Sequence, residues 1–331
     1  MNTSKKLLAI LLVLGMTCAG MVACKPSPDT PSVPSSNQGN TTEATTQGSA
    51  TEGQVTPYGN YSIDQPAIKP EEYFAAQIQQ SADTFNAGSS YTNEKISHIF
   101  KIADYIANYE AYVEEYGVQD QLDELYEQTG FSLDFGFGAD LMAHYIGKSG
   151  ETFDYSNRME EMLVHPKVSA AQSTCISAAM KAAENLVKDG QSNVSVNQTK
   201  PMKLTGLKTE DGTIYYALGE YHTIADLSNV QRTGDTFSAT VTFRIIDYYN
   251  WADDIKTPEF TDYLNKLNDN YRALLGQMVD MPTLEGFCQA DLAQLHNAGL
   301  AQNFLAHGTI RYNVTWTAGQ SFDQATVTPA Q

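Results

Sequence analysis

The hydrophobic periodicity of this chain changes near Gly190, and that change constrains the fold more than any other feature. Before this point, apolar residues recur at helical spacing, most clearly from Ile96 to Val113. After it, apolar and polar side chains alternate from Phe237 to Ile245, as in a strand with one buried face. The sequence therefore predicts an α+β fold in which an N-terminal helical half precedes an antiparallel sheet interrupted by helices.

The helical half is predicted to occupy residues 57–190. Pro70, followed by two acidic residues, favours the first turn of a helix. Thr92 is placed to begin a long helix that Gly117 ends. Further helices are expected at residues 119–127, 138–146 and 166–188.

The β-rich region is predicted to occupy residues 191–320, with strand-like alternation beginning at Ile214. A turn at Gly234 is expected to join two antiparallel strands into a hairpin. Strands are predicted at residues 221–231, 236–246 and 310–316, and inserted helices at residues 258–278 and 284–297.

Two polar segments are not expected to join this fold. Residues 25–56 are rich in Ser, Thr, Pro, Gly, Asn and Gln, and they have too few large apolar side chains to offset the entropy of ordering. They are therefore predicted to be a disordered tether. Residues 321–331 are predicted to be a frayed polar tail.

The first 24 residues have the features of an export signal. Lys5 and Lys6 precede the apolar run 7–16, and small residues lead to Cys24. A charged start and an apolar run too short to span a bilayer are typical of a signal peptide rather than a transmembrane helix. The sequence Met-Val-Ala-Cys at residues 21–24 resembles the lipobox of bacterial lipoproteins. Cys18 fits this pattern less well, because a bulky threonine precedes it.

The lipoprotein resemblance implies that residues 1–23 are removed and that Cys24 carries lipid, including palmitate. Residues 24–56 would then be a lipidated cysteine and its tether, on the extracytoplasmic face of the cell membrane. Cleavage removes two of the 20 basic residues, so 18 basic and 39 acidic side chains remain and the net charge is −21. That charge excludes a nucleic-acid partner, since phosphate recognition needs a basic surface.

Two cysteines, Cys175 and Cys288, remain in the mature chain. Outside the cytoplasm a disulfide between them is chemically allowed, and two buried free thiols are the alternative. Neither cysteine has a neighbouring His or Cys at metal-ligand spacing. No metal site and no cofactor are predicted.

Residues 247–250, with the sequence Asp-Tyr-Tyr-Asn after a predicted strand, resemble the Asp-x-Tyr-Asp signature of colicin M-type domains. Those domains hydrolyse lipid II, so the resemblance implies catalytic roles for Asp247 and Tyr249. The sequence departs from the family at Asn250, and the downstream His-Arg pair of the family is absent. His222 and His296 are further weak catalytic candidates, because they could approach each other across the sheet.

Segments 216–221, 246–251 and 291–301 resemble a C-terminal module of secreted, toxin-like bacterial proteins. The resemblance covers about the last third of the chain and implies secretion without implying a reaction. The sequence therefore predicts a membrane-anchored extracellular lipoprotein that binds a protein or glycan at the cell envelope. The alternative is a degenerate or divergent toxin-like enzyme acting on envelope material, with Arg244 among its functional residues.

These two hypotheses differ in the geometry that they require. An enzyme needs its candidate acid, base and nucleophile within reach of one reacting atom. The enzyme hypothesis therefore gains support if His222, His296 and Asp247 converge in one cleft, and it loses support if they are dispersed.

Overall fold

The fold is α+β, as the sequence predicts, with helices before an antiparallel sheet. The computed structural model describes residues 60–63, 65–129, 136–205, 213–256 and 285–330, together with residues 269, 272, 273 and 276. The predicted signal peptide, Cys24 and tether lie outside the described residues, as does most of the helix predicted at residues 258–278. Among the described residues, no helix is both long and apolar enough to span a membrane.

Four helices of the first half begin within one residue of the predicted positions, namely those that begin at Pro70, Gln119, Phe137 and Pro166. The helices of this half are α1 (Pro70–Tyr73), α2 (Ala75–Phe85), α3 (Asn93–Ala107), α4 (Tyr109–Tyr116), α5 (Gln119–Thr129), α6 (Phe137–Gly147), α7 (Met159–Leu163) and α8 (Pro166–Leu186). Thr92 caps α3, because its side-chain oxygen accepts the Lys95 amide N–H at 3.3 Å. Gly117 ends α4 in the left-handed conformation, with φ of 62°.

The single helix predicted between Thr92 and Gly117 is wrong, because the chain divides it into α3 and α4 at Asn108. Asn108 has non-helical dihedrals, with φ of −116° and ψ of 26°. Its side-chain amide donates to the carbonyl oxygen of Asp104 at 3.1 Å and to the Asp104 carboxylate at 2.9 Å. Such local bonds compete with helical ones and favour the end of a helix.

The sheet is built around a central hairpin. Its strands are β1 (Tyr61–Ser62), β2 (Phe153–Asp154), β3 (Val194–Gln198), β4 (Met202–Leu204), β5 (Tyr221–Thr233), β6 (Thr236–Tyr249), β7 (Phe304–Thr317) and β8 (Thr326–Pro329), with α9 (Thr213–Leu218) and α10 (Gln289–Asn297) between strands. The strand order is β1-β3-β5-β6-β7-β2, β4 also pairs with β5, and β8 also pairs with β7. The β2–β7 pairing is parallel, and the other described pairings are antiparallel.

Two predictions for the second half are wrong. Residues 213–218 form helix α9 rather than the start of strand-like alternation, because Ile214, Ala217 and Leu218 bury one helical face. The final segment is not a frayed tail, because β8 pairs with β7. The Phe322 amide N–H also donates to the Ser177 hydroxyl at 2.9 Å, which joins this segment to α8.

The two faces of the sheet have different coverings. Phe237, Val241 and Phe243 of β6 point to one face and are fully buried in the main core, which also contains residues of α3, α6 and α8. Burial of each such side chain stabilises the fold by about 1.5–3 kcal/mol. On the opposite face, Phe74 covers a small second cluster that includes Tyr248. This second face carries the candidate site.

Candidate binding site

Helix α2 is held against the rest of the molecule by one buried residue, Ser81. Its large apolar side chains remain in contact with solvent, since Ile78 is 37% exposed and Phe85 is 41% exposed. An amphipathic helix ordinarily buries its apolar stripe. Because Ile78 and Phe85 are only partly buried, the polar contacts of Ser81 add to the hydrophobic attachment of α2.

Ser81 belongs to a polar cluster that joins α2 to β6, α10 and the start of β7. The side-chain amide of Asn303 donates to the Ser81 hydroxyl at 2.6 Å. Nε2 of His296 lies 2.7 Å from the Ser81 carbonyl oxygen and 3.1 Å from its hydroxyl. The Tyr248 hydroxyl also interacts with the Ser81 side chain. We call Ser81, Tyr248, His296 and Asn303 the Ser81 cluster.

The geometry of His296 gives it a structural role within this cluster. Its shortest contact is the one from Nε2 to the Ser81 carbonyl, which accepts the Nε2 proton. Nδ1 faces the Ala301 carbonyl oxygen at 3.3 Å. Because Nε2 donates its proton to the backbone of α2, Nε2 does not accept the proton of the Ser81 hydroxyl. His296 therefore positions α2 over the sheet and is not arranged as a general base.

A cleft of about 390 Å³ opens beside the Ser81 cluster, between α2 and the start of β7. Small-molecule sites in proteins have volumes of roughly 300–1,000 Å³, with mainly apolar walls and a few polar groups. The apolar lining consists of Ile78, Ala82, Phe85, Phe304 and Leu305. Beyond the Ser81 cluster, the polar lining consists of Glu71, Asn86, Thr152 and Gln302. The cleft therefore has the size and the lining of a ligand site.

His222 lies outside this cleft, under α1. Its ring contacts the rings of Tyr73 and Phe74, with centroid separations of 5.2 and 5.5 Å. Burial, with a further contribution from Lys203, lowers the pKa of His222 to about 4. The imidazole is thus neutral at physiological pH, and it packs as an aromatic side chain.

Asp247 points to the opposite face of the sheet from His222. His222 pairs with Ile246, and successive side chains of a strand alternate between faces. Burial raises the pKa of Asp247 to about 8; Glu220 raises it further and Lys203 lowers it. The carboxyl group is consequently protonated over most of the physiological range, although its side chain keeps partial contact with solvent.

Tyr249 is part of the aromatic core. Its ring stacks on Phe304 at 4.9 Å and meets Trp251 edge to face at 5.5 Å. Burial raises its pKa well above the usual value, and the nearby Tyr145 and Asp247 add to that effect. Of the two residues singled out by the colicin M resemblance, Tyr249 therefore lies in the core and Asp247 beside it, and neither shares a cleft with the candidate histidines.

Arg244 has a structural partner on each side. Its guanidinium forms an ion pair with Asp226 at 2.5 Å and donates to the Ile68 carbonyl oxygen at 2.9 Å. It therefore fastens the segment before α1 to the second face of the sheet.

The structure does not bring the candidate catalytic residues together. His222 packs under α1, His296 binds the backbone of α2, and Asp247 faces the other side of the sheet. Among the described residues, no group of three or more His, Cys, Asp or Glu side chains is placed to hold a metal ion. The geometry that the enzyme hypothesis requires is not formed.

The disulfide allowed by the sequence is not formed either, because Cys175 and Cys288 are both free and buried in different surroundings. Cys175 on α8 lies with its sulfur 3.7 Å from the side-chain oxygen of Gln198. Cys288 precedes α10, and its sulfur lies 3.3 Å from the Asp291 carboxylate. Burial raises the pKa of Cys175 to about 12, which disfavours the reactive thiolate.

Sequence reasoning singled out His296 but missed Ser81, Tyr248 and Asn303. Ser81 contacts His296 across 215 positions in the sequence and Asn303 across 222. No local motif links such distant residues. No family model, curated protein or solved structure matches this chain.

Proposed function

We propose that this protein is a lipid-anchored binding protein of the cell envelope, and that the cleft beside the Ser81 cluster is its binding site. The observation that carries the proposal is the cleft itself, which combines about 390 Å³ of space with a lining of apolar and polar side chains. The dispersal of His222, His296 and Asp247 favours binding over catalysis. The competing hypothesis of a toxin-like enzyme loses its geometric basis.

The proposed location rests on the first 56 residues of the sequence. A lipid on Cys24 would hold the chain at the extracytoplasmic face of the membrane, and the tether would let the folded part move away from the bilayer. A mature chain with 39 acidic and 18 basic side chains is repelled by anionic headgroups. We therefore propose that the partner is an envelope component beyond the lipid surface.

A substitution that fills the cleft tests this proposal. Ala82 lines the cleft on α2, so Ala82→Trp places an indole in the space available to a ligand. Ala76 is an exposed residue of the same helix that does not line the cleft, so Ala76→Trp is a matched control. Full-length proteins are crosslinked in intact envelopes, and their adducts are mapped by mass spectrometry.

We expect adducts on cleft residues in the wild type and in Ala76→Trp, and we expect them to be lost in Ala82→Trp. Unfolding curves of both variants check that α2 remains attached. Equal adducts in Ala82→Trp, or adducts confined to other surfaces, would show that the cleft is not the binding site.

A further inference from the structure

Two side-chain amides in the cleft, those of Asn86 and Asn303, each have an oxygen that is free to accept a hydrogen bond. The amide nitrogen of Asn303 is occupied by the Ser81 hydroxyl, and the Asn303 side-chain oxygen is buried without a partner. The amide nitrogen of Asn86 donates to the Ala82 carbonyl at 2.9 Å, which leaves the Asn86 side-chain oxygen to accept. Glu71 adds a carboxylate. A ligand that donates hydrogen bonds would therefore satisfy these oxygens.

The charge of the site disfavours an anionic ligand. No Lys or Arg is among the residues that line the described cleft, whereas Glu71 is. The whole chain has a net charge of −19, and a field of that sign attracts cations and repels carboxylates and phosphates. The free side-chain oxygens and the negative charge therefore both favour a head group that is positively charged and donates hydrogen bonds.

The apolar walls indicate what the rest of the ligand looks like. Ile78 and Phe85 project from α2 with more than a third of their surface exposed, and Leu305 lies in the cleft lining with them. An occupant with an apolar body would remove this surface from water. Aromatic rings such as those of Phe85 and Tyr248 also attract a cation placed over their faces. A sugar offers little apolar surface, so it fits this lining less well.

We infer that the cleft binds an organic ammonium ion, whose charged head donates to Asn303 and Glu71 while its apolar body lies against Ile78 and Phe85. This inference rests on the proposed binding function and adds the chemical class of the ligand. The Asn303 side-chain oxygen gives the head group a fixed position, because its amide is already oriented by Ser81. Glu71 supplies charge at an exposed position and contributes less.

The test compares three phenyl probes of similar size and one larger sugar on the full-length protein by titration calorimetry. The probes are the phenethylammonium ion, its neutral analogue 2-phenylethanol, its anionic analogue phenylacetate, and the disaccharide diacetylchitobiose. We expect saturable binding of the ammonium ion, at least tenfold tighter than that of the alcohol, because hydrogen bonds to a charged group are stronger than neutral ones. Tighter binding of phenylacetate or of the disaccharide, or no saturable ammonium binding, would overturn the inference.

Two variants and their matched controls locate the ammonium group. Asn303→Leu removes the unpaired acceptor and is expected to weaken ammonium binding about tenfold or more. Glu71→Gln keeps the shape of an exposed side chain and is expected to weaken it about threefold. Asn313→Leu, on the exposed part of β7, and Glu72→Gln, which does not line the cleft, are expected to leave the affinity unchanged.

The two Glu variants keep the inference testable if Asn303→Leu detaches α2. Equal affinities of Glu71→Gln and Glu72→Gln, together with an unchanged affinity in any folded Asn303→Leu protein, would show that the ammonium ion binds elsewhere. The results also distinguish a wrong ligand class from a wrong proposal that the cleft is a binding site. If the ammonium ion does not bind but adducts are still lost in Ala82→Trp, the cleft binds a ligand of another class.

Discussion

The pKa of Asp247 leads to a prediction about how stability depends on pH. Burial raises this pKa from 3.8 to about 8, so the folded chain keeps a proton that the unfolded chain releases. Between these two pKa values the folded state binds one more proton than the unfolded state. The contribution of Asp247 to the free energy of unfolding is therefore complete below the unfolded pKa, declines as the pH rises, and is lost above the folded pKa.

The magnitude follows from the size of the shift. Each pKa unit corresponds to about 1.4 kcal/mol, so a difference of about four units sets an upper limit of roughly 6 kcal/mol. Asp247 keeps partial contact with solvent, which screens the ionised form and reduces the effect to about 2–4 kcal/mol. Asp247→Asn removes the titrating group and keeps its shape. As the pH rises from about 5 to about 9, we therefore expect the free energy of unfolding of the variant to increase relative to that of the wild type by this amount.

Denaturant unfolding of the two proteins at a series of pH values measures this difference. Asp254→Asn, at an exposed position near the end of β6, is the matched control and is expected to follow the wild type at each pH. The reasoning is refuted if the stability difference between Asp247→Asn and the wild type is independent of pH. It is also refuted if that difference decreases as the pH rises, because the carboxylate would then be stabilised by the fold.

Three further predictions concern the anchor, the thiols and the sheet. Cys24→Ala is expected to abolish palmitate labelling and membrane retention, whereas Cys18→Ala is expected to preserve both. Cys175 and Cys288 are expected to resist alkylation in the folded protein and to react in denaturant without a reductant; a requirement for reductant would indicate a disulfide. Gly308→Ala is expected to lower the free energy of unfolding by about 1–3 kcal/mol, because the added carbon would lie within 2.5 Å of a buried tyrosine and a buried methionine. An unchanged denaturant midpoint in this variant would contradict the prediction.

Local patterns in the sequence predicted the parts of the fold that depend on neighbouring residues. The hairpin of β5 and β6 follows from period-two alternation and from the turn at Gly234, which adopts a φ of 59°. The start of α3 follows from its cap at Thr92. Strand β2 has two residues, and its parallel partner lies more than 150 positions away in β7, so no local pattern indicates it.

The candidate site was less accessible to sequence reasoning than the fold. Ser81 lies on the same face of α2 as Ile78 and Phe85, because the three residues recur at helical spacing. In the structure, hydrogen bonds from His296 and Asn303 hold Ser81 in a buried position, while Ile78 and Phe85 remain partly exposed. Those partners lie in α10 and before β7, and only the folded chain brings them to α2. Sequence reasoning instead selected residues 247–250, of which Tyr249 lies in the aromatic core and Asp247 beside it.

Two departures from ordinary packing coincide at the cleft. Helix α2 exposes Ile78 and Phe85 while it buries a serine, and the Asn303 side-chain oxygen is buried without a partner. Natural folds concentrate such departures at functional sites. Arg244 Nε and His222 Nδ1 on the same face of the sheet are also buried without a partner, but neither residue lines the cleft. One occupant with an apolar body and a donor head would relieve both departures, which is why they are better explained together than separately.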